Sequence, residues 1–403
     1  MREIIRKKQA SVVIDEEIEF DESLLLASVT DQRGVICYAN AGFCETARFA
    51  LQDLIGAPHK IVRHPDMPRG VFYLMWSRLK VGKTVCAYVK NRASDGRYYN
   101  TFATVVPVQD GYLSVRSRPR ADMHALTEEL YVEMRRQETE GLTPEKSAGQ
   151  FEAVVRGMGL SGTDDYMRMI LNAETTARGA AAPGTDASPA KISDLASAIE
   201  EGTKTVDDIV GIFGQIRGEP VNLRILAGRM EQSGAAIATI SKNYETMASE
   251  MYSLVRRLDQ TGDGPFARMR DAVQKARFSA QLADLMGTHA AQSEAEQETS
   301  ETDYSEMFVA KARELALAKT SAVSDVASIG ATIPETTRLL RRRINGLDLV
   351  KLLCRVESGR MGGMDNGLTG IIARLEKAHE AIDHHLTELA AISARIDRQS
   401  RAL

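Results

Sequence analysis

A change of pattern near residue 120 constrains this chain more than any other feature. Before it, short alternating runs at 34–38, 84–89, 98–108 and 112–116 are separated by turn signals at 31–34, Asp95-Gly96 and Asp110-Gly111, and aromatic residues are densest. Alternation broken by tight turns predicts a small α+β domain built on an antiparallel sheet. After it, Ala, Glu, Gln, Arg, Leu, Ile and Met fill long stretches free of proline, which predicts helix. At 403 residues the chain exceeds the ~250–300 that one core usually supports, so two or more units are expected.

The helical part has its own punctuation. Two prolines, two glycines and small residues make 179–190 a linker, which leaves 119–178 as a helical connector. Ile237, Ile240, Tyr244, Met247, Met251, Leu254 and Leu258 alternate by three and four, the spacing of a coiled-coil seam. Such a stripe predicts a helical hairpin over 191–291, its apolar face buried against other helices of the chain or against a second subunit, with a homodimer as the expected form. The polar run 292–303 predicts an acidic loop, and Leu375, Ile382, Leu386, Leu389 and Ile396 mark a last amphipathic helix in a C-terminal helical region, 304–403. Residues 1–21 form an N-terminal cap ahead of the sheet domain, 22–118.

Several function classes lose support at this stage. A formal net charge of −4 supplies no general attraction to nucleic acid. The four cysteines, Cys37, Cys44, Cys86 and Cys354, have no metal-site spacing and read as free thiols. No apolar run of membrane-spanning length occurs, and the first twenty residues lack the apolar core of a signal peptide, so a cytoplasmic protein is expected. The helical region carries no P-loop, nucleotide-cyclase or histidine-kinase motif, and no enzyme activity is expected. His379 with His384-His385 is spaced by five and six, which does not align metal ligands on one helical face and reads as a solvated surface. Arg341-Arg342-Arg343 likewise reads as a wet helix face.

Residues 24–118 read as strands, a helical stretch, an Arg-His-Pro-Asp-Met-Pro break, another helix and three more strands, a cup able to hold a planar ligand. Thr30-Asp31, Gly34, Ala39-Asn40-Ala41-Gly42-Phe43, Leu54-Ile55-Gly56 and Asp95-Gly96 resemble the general PAS pattern. The run from Gly56 through Val62-Arg63-His64-Pro65-Asp66-Met67-Pro68, with Phe72, Met75-Trp76 and Val89-Lys90-Asn91-Arg92, resembles the aerotaxis-receptor subgroup over about residues 22–118. That resemblance implies a five-stranded antiparallel sheet with helices on one face, followed by an all-α coiled-coil or bundle region. It also implies non-covalent FAD and a sensor of redox or oxygen. Carried over position by position, Asn40, Arg63, His64, Asp66, Trp76 and Asn91 are the flavin-associated residues. Arg63 and His64 suit phosphate or ring oxygens, Trp76 suits stacking, and Asn91 offers both donor and acceptor. Val85 and Asn100 stand where that subgroup carries tryptophans.

In the helical region, Asn222-Leu223, Ala227, Met230-Glu231 and Gly234 resemble the tip of a methyl-accepting hairpin, which implies a chemotaxis kinase, an adaptor or another signalling protein as partner. The hairpin's Glu-Ala-Ala-Arg-Ala-Gly-Glu run is absent. Two other readings stand beside the flavin sensor: a cofactor-free PAS adaptor or scaffold, and a haem-binding gas sensor using His59 and His64.

Overall fold

A computed structural model describes residues 13–178, 188–229, 234–259, 263–295, 304–360 and 367–403. Five antiparallel strands, β1 (Leu26–Asp31), β2 (Ile36–Ala39), β3 (Val85–Arg92), β4 (Tyr98–Val108) and β5 (Gly111–Ser117), form one sheet in the order β2-β1-β5-β4-β3. The register pairs Leu26 with Arg116, Phe102 with Ser117 and Val85 with Val105. Between β2 and β3 the chain makes α1 (Ala41–Ala47), α2 (Leu51–Leu54), a 3-10 turn (His59–Val62) and α3 (Arg69–Leu79). Phe43, Phe49, Leu54 and Val62 pack against Leu26, Ile36 and Tyr99 as the inner core. Ahead of the sheet, Ile14 N–H donates to Gly96 O at 2.8 Å and Ile18 N–H to Tyr98 O at 2.7 Å, which seats the described end of the cap beside the β3-β4 turn.

The other face of the sheet is also buried. Three connector helices follow β5: α4 (Met123–Thr139), α5 (Pro144–Gly157) and α6 (Thr163–Ala177). Thr143 caps α5 by accepting from Lys146 N–H, and Pro144 occupies its first turn, where no amide hydrogen is needed. Tyr131, Met134, Phe151, Tyr166 and Ile170 share one core with the outward residues Ala27, Val29, Tyr88, Phe102 and Leu113, and Leu282, Met286 and Phe308 join the same core. Residues 1–185 with 278–317 accordingly make one compact unit, so connector and sheet fold together.

Two buried carboxylates fasten this arrangement. Glu174, on α6, accepts from Tyr88 Oη at 2.9 Å and from the amides of Arg120 and Ala121, where β5 runs out into the connector. Glu138, in the last turn of α4, accepts from the amides of Arg69 at 2.8 Å and Gly70 at 2.7 Å, the first residues of α3. A carboxylate at a helix N-terminus satisfies donors that have no partner inside the helix and meets the positive end of its dipole.

The second unit, residues 186–277 with 318–403, is all helical. Helix α7 (Ser188–Ile216) packs along α13 (Leu368–Arg401), α13 on α12 (Ile333–Arg360), and α12 on α9 (Gly234–Arg256). The short α8 (Glu219–Ala227) packs on α9, and α10 (Pro265–Ala295) and α11 (Tyr304–Gly330) contribute residues to both units.

Several expectations change here. The linker span is helical from Ser188, and the acidic span is helical up to Ala295. The remaining residues of both spans lie outside the described ones, as do Met230 and Glu231 of the hairpin-tip motif. The seam residues Ile237, Tyr244, Met251 and Leu258 are 0–2% exposed within the single chain. The stripe is therefore covered within the chain and leaves no exposed seam to draw a second copy. His379 is no surface residue: it is 2% exposed, with Nε2 3.1 Å from Tyr244 Oη and Nδ1 3.1 Å from Asp348 Oδ1. Spacing along one helix could not show that two other helices close over it. His384 and His385 instead meet Glu388 on the same helix. Arg341 and Arg343 pair with Asp383 and Glu250.

Candidate functional site

Between α3 and the inner face of the sheet lies a cavity of about 430 Å³, within the ~300–1,000 Å³ of small-molecule sites. Helix α3 supplies an apolar wall through Phe72, Met75, Trp76 and Leu79. The strands supply the opposite wall, and because strand side chains alternate, residues two apart arrive together. Tyr112, Ser114 and Arg116 come from β5, Ser28 and Thr30 from β1, Ala103 and Val105 from β4, and Val89 and Asn91 from β3. Exposed or half-exposed cations, Arg33, Lys60, Arg63 and Arg69, line the same cavity at its outer edge.

Arg116 is the group that most defines the chemistry. It is 4% exposed, and its two terminal nitrogens donate to Ser28 Oγ at 3.1 and 3.2 Å. Nη2 also lies 2.6 Å from His59 Nε2, and the guanidinium stands over the Phe43 ring at 5.1 Å. No carboxylate pairs with it among the described residues. Burial pulls the guanidinium down to about 10, partly offset by the Tyr99 phenol. Burial, and then the charge of Arg116, hold His59 well below its usual range. A neutral His59 accepts at Nε2 from Arg116 and carries its proton on Nδ1.

Trp76 meets Tyr112 edge-on, with ring centroids 5.5 Å apart and planes at 73°. Its indole also lies against Gly34, whose φ of +77° favours glycine and whose Cβ position would fall 2.8 Å from the ring. Asn91 is 2% exposed and donates from Nδ2 to Thr101 Oγ1 at 3.0 Å and to Val89 O at 3.3 Å. Arg63 bridges its backbone to that of Asn91, donates to Met67 O at 3.1 Å and lies 3.9 Å over the Phe72 ring. Burial lowers the affinity of Arg63 for its proton.

Of the six residues singled out in the sequence, Arg63, Trp76 and Asn91 meet in this cavity, while Asn40, His64 and Asp66 do not line it. Asn40 caps α1: Oδ1 accepts from Ala27 N–H at 2.8 Å and Phe43 N–H at 3.1 Å, and Nδ2 donates to Leu25 O at 2.8 Å. His64 is buried at the turn, where Nδ1 accepts from Asp66 N–H at 3.2 Å; burial depresses its pKa against the pull of Asp66. Asp66 is exposed and pairs with Lys90 at 3.1 Å. Val85 is buried in the core and Asn100 donates to Glu17, so both take up structural places. Sequence reasoning missed Arg116, Ser28 and Ser114, and raised His59 only as a haem ligand.

No family model matches the chain. It is 40% identical over 111 residues to the aerotaxis receptor of Escherichia coli (strain K12), a match that covers 26% of this chain and 22% of that receptor. The five-stranded domain is an aerotaxis-type PAS domain. The nitrogen fixation regulatory protein of Klebsiella pneumoniae is 27% identical over 88 residues, covering 22% of this chain and 18% of its own length. The match therefore spans about a fifth of each relative. Among the described residues, no helix is long and apolar enough to cross a membrane.

Proposed function

We propose that this protein is a non-enzymatic signal-transduction sensor whose PAS domain holds FAD and reports redox state or oxygen to its helices. A signalling protein of the chemotaxis kinase or adaptor type would receive the output in the cytoplasm. One observation carries the reading: a cavity with an apolar wall, a buried hydrogen-bonding floor and a cationic edge. That donor set fits the group. Trp76 and Phe72 would hold a planar ring, Asn91 and Arg116 would meet its polar edge, and Arg33, Lys60, Arg63 and Arg69 would face the diphosphate. Asn40, His64 and Asp66 shape the helix and turn around the cavity.

Bound FAD would supply a ring whose reduction turns a hydrogen-bond acceptor nitrogen into a donor. Asn91, which can both donate and accept, answers such a change by rotating its amide. Arg63 shares a backbone bridge with Asn91 and leads, through the His64-Pro65-Asp66-Met67-Pro68 turn, into α3. A shift of α3 is felt at Glu138, which holds its first two amides from the end of α4. The connector is in this way tied to the helix that lines the cavity.

The two other readings are less well served. A haem iron on His59 would have to displace Arg116 from Nε2, and His64 does not line the cavity. An adaptor would have to use a surface other than the outer sheet face, which helices of the same chain cover. Absorption from the near ultraviolet through the visible tests the choice. Purified protein, or protein refolded with FAD, should show a flavin spectrum at one flavin per chain; a haem spectrum, or no chromophore after refolding with FAD, would sink the flavin reading.

A further inference from the structure

A buried arginine without a counter-ion keeps an unmet electrostatic cost until something of opposite charge reaches it. Arg116 is such a group, and the cavity is where it opens. Ser28 and His59 hold it by hydrogen bonds alone, both as neutral acceptors, so they fix its direction without cancelling its charge. His59 cannot take up a proton beside it without setting two cations in contact. The floor of the cavity thus stays positive and oriented.

We propose that Arg116 determines which redox form of its ligand the cavity prefers, by favouring a ring edge that carries negative charge. The inference rests on the flavin reading above. When two electrons and one proton enter neutral oxidised flavin from a reductant, the product carries one negative charge, delocalised over its carbonyl edge. A fixed guanidinium facing that edge favours the reduced form over the oxidised one. His59 aims the guanidinium through its Nε2.

The test compares wild-type holoprotein with Arg116→Met and Arg116→Lys, each titrated with dithionite against a reference dye under nitrogen. Arg116→Met should bind reduced flavin at least tenfold more weakly, relative to oxidised flavin, than wild type does, which is a fall in the two-electron potential of about 30 mV or more. The empty Arg116→Met protein should melt no lower than empty wild type, since it no longer buries an unmet charge. Arg116→Lys should keep most of the wild-type preference for the reduced form. If Arg116→Met does not accumulate as folded protein, Arg116→Gln reads the same difference. A wild-type protein that takes up FAD, with an uncharged variant of unchanged potential, would overturn this inference and leave the flavin reading intact. A wild-type protein that takes up no FAD would overturn both.

Discussion

Glu138→Ala should lower the unfolding free energy of the sheet-containing unit by about 3 kcal/mol, because two charge-assisted hydrogen bonds to the amides of Arg69 and Gly70 are lost together. The site cannot easily relax around the loss. Gly70 packs so tightly that a Cβ there would lie 2.6 Å from Ser147 Oγ, and the Glu138 side chain has no exposed surface. Glu138→Gln, which keeps the shape but turns one accepting oxygen into an NH2 donor facing a backbone N–H, should cost a comparable amount. Burial opposes the charge on Glu138, but the amides of Arg69 and Gly70, the Ser147 hydroxyl and the charge of Arg69 outweigh it and hold the carboxyl below its usual 4.5. A depressed carboxyl contributes stability that is fully present above its unfolded value and is lost as pH falls through its folded value. Wild-type stability should therefore decline below about pH 4.5, and Glu138→Gln should flatten that part of the profile. Denaturant melts from pH 3 to 7, followed by tryptophan fluorescence, would show this, since Trp76 is the sole tryptophan and lies on α3. A variant with the wild-type acid profile would remove Glu138 from the account.

Gly34→Val should strike the cavity from its other side. Its φ of +77° costs a non-glycine residue about 1–2 kcal/mol, more for a branched one, and a Cβ at 2.8 Å from the Trp76 ring must displace the indole that lines the cavity. We expect folded protein with a melting temperature several degrees lower and flavin affinity reduced at least tenfold. Gly34→Ala should fall between it and wild type. Equilibrium dialysis with FAD measures the affinity. Unchanged affinity for the valine variant would mean that the indole does not bound the ligand space.

The difference between what sequence revealed and what it concealed is visible at these residues. The turn from Arg63 to Pro68 and the position of Trp76 were legible because proline and a lone tryptophan mark the chain locally. Arg116 was not. In β5 the cavity residues Tyr112, Ser114 and Arg116 alternate with Leu113 and Val115, but all five are buried, because helices of the same chain cover the outer face. A strand buried on both faces loses the polar-apolar contrast that tells inside from outside. The spacing by two was the signal that could have joined Arg116 to Ser114 and Tyr112. Glu138 and Glu174 look like ordinary helix surface charges for a related reason: most of their partners are backbone amides, which no side-chain pattern reports. The coiled-coil seam was legible as an apolar stripe, while its covering within one chain depends on α7, α8 and α12, which the stripe alone does not report.

Hydrogen exchange of oxidised against dithionite-reduced holoprotein shows whether a change in the cavity reaches the helices. Altered protection is expected at the start of α3, around Arg69 and Gly70, and at the end of α4, around Glu138, with the change at α4 lost in Glu138→Gln. Protection that is the same in both redox states throughout α3 and residues 119–178, in protein carrying one flavin per chain, would contradict that coupling.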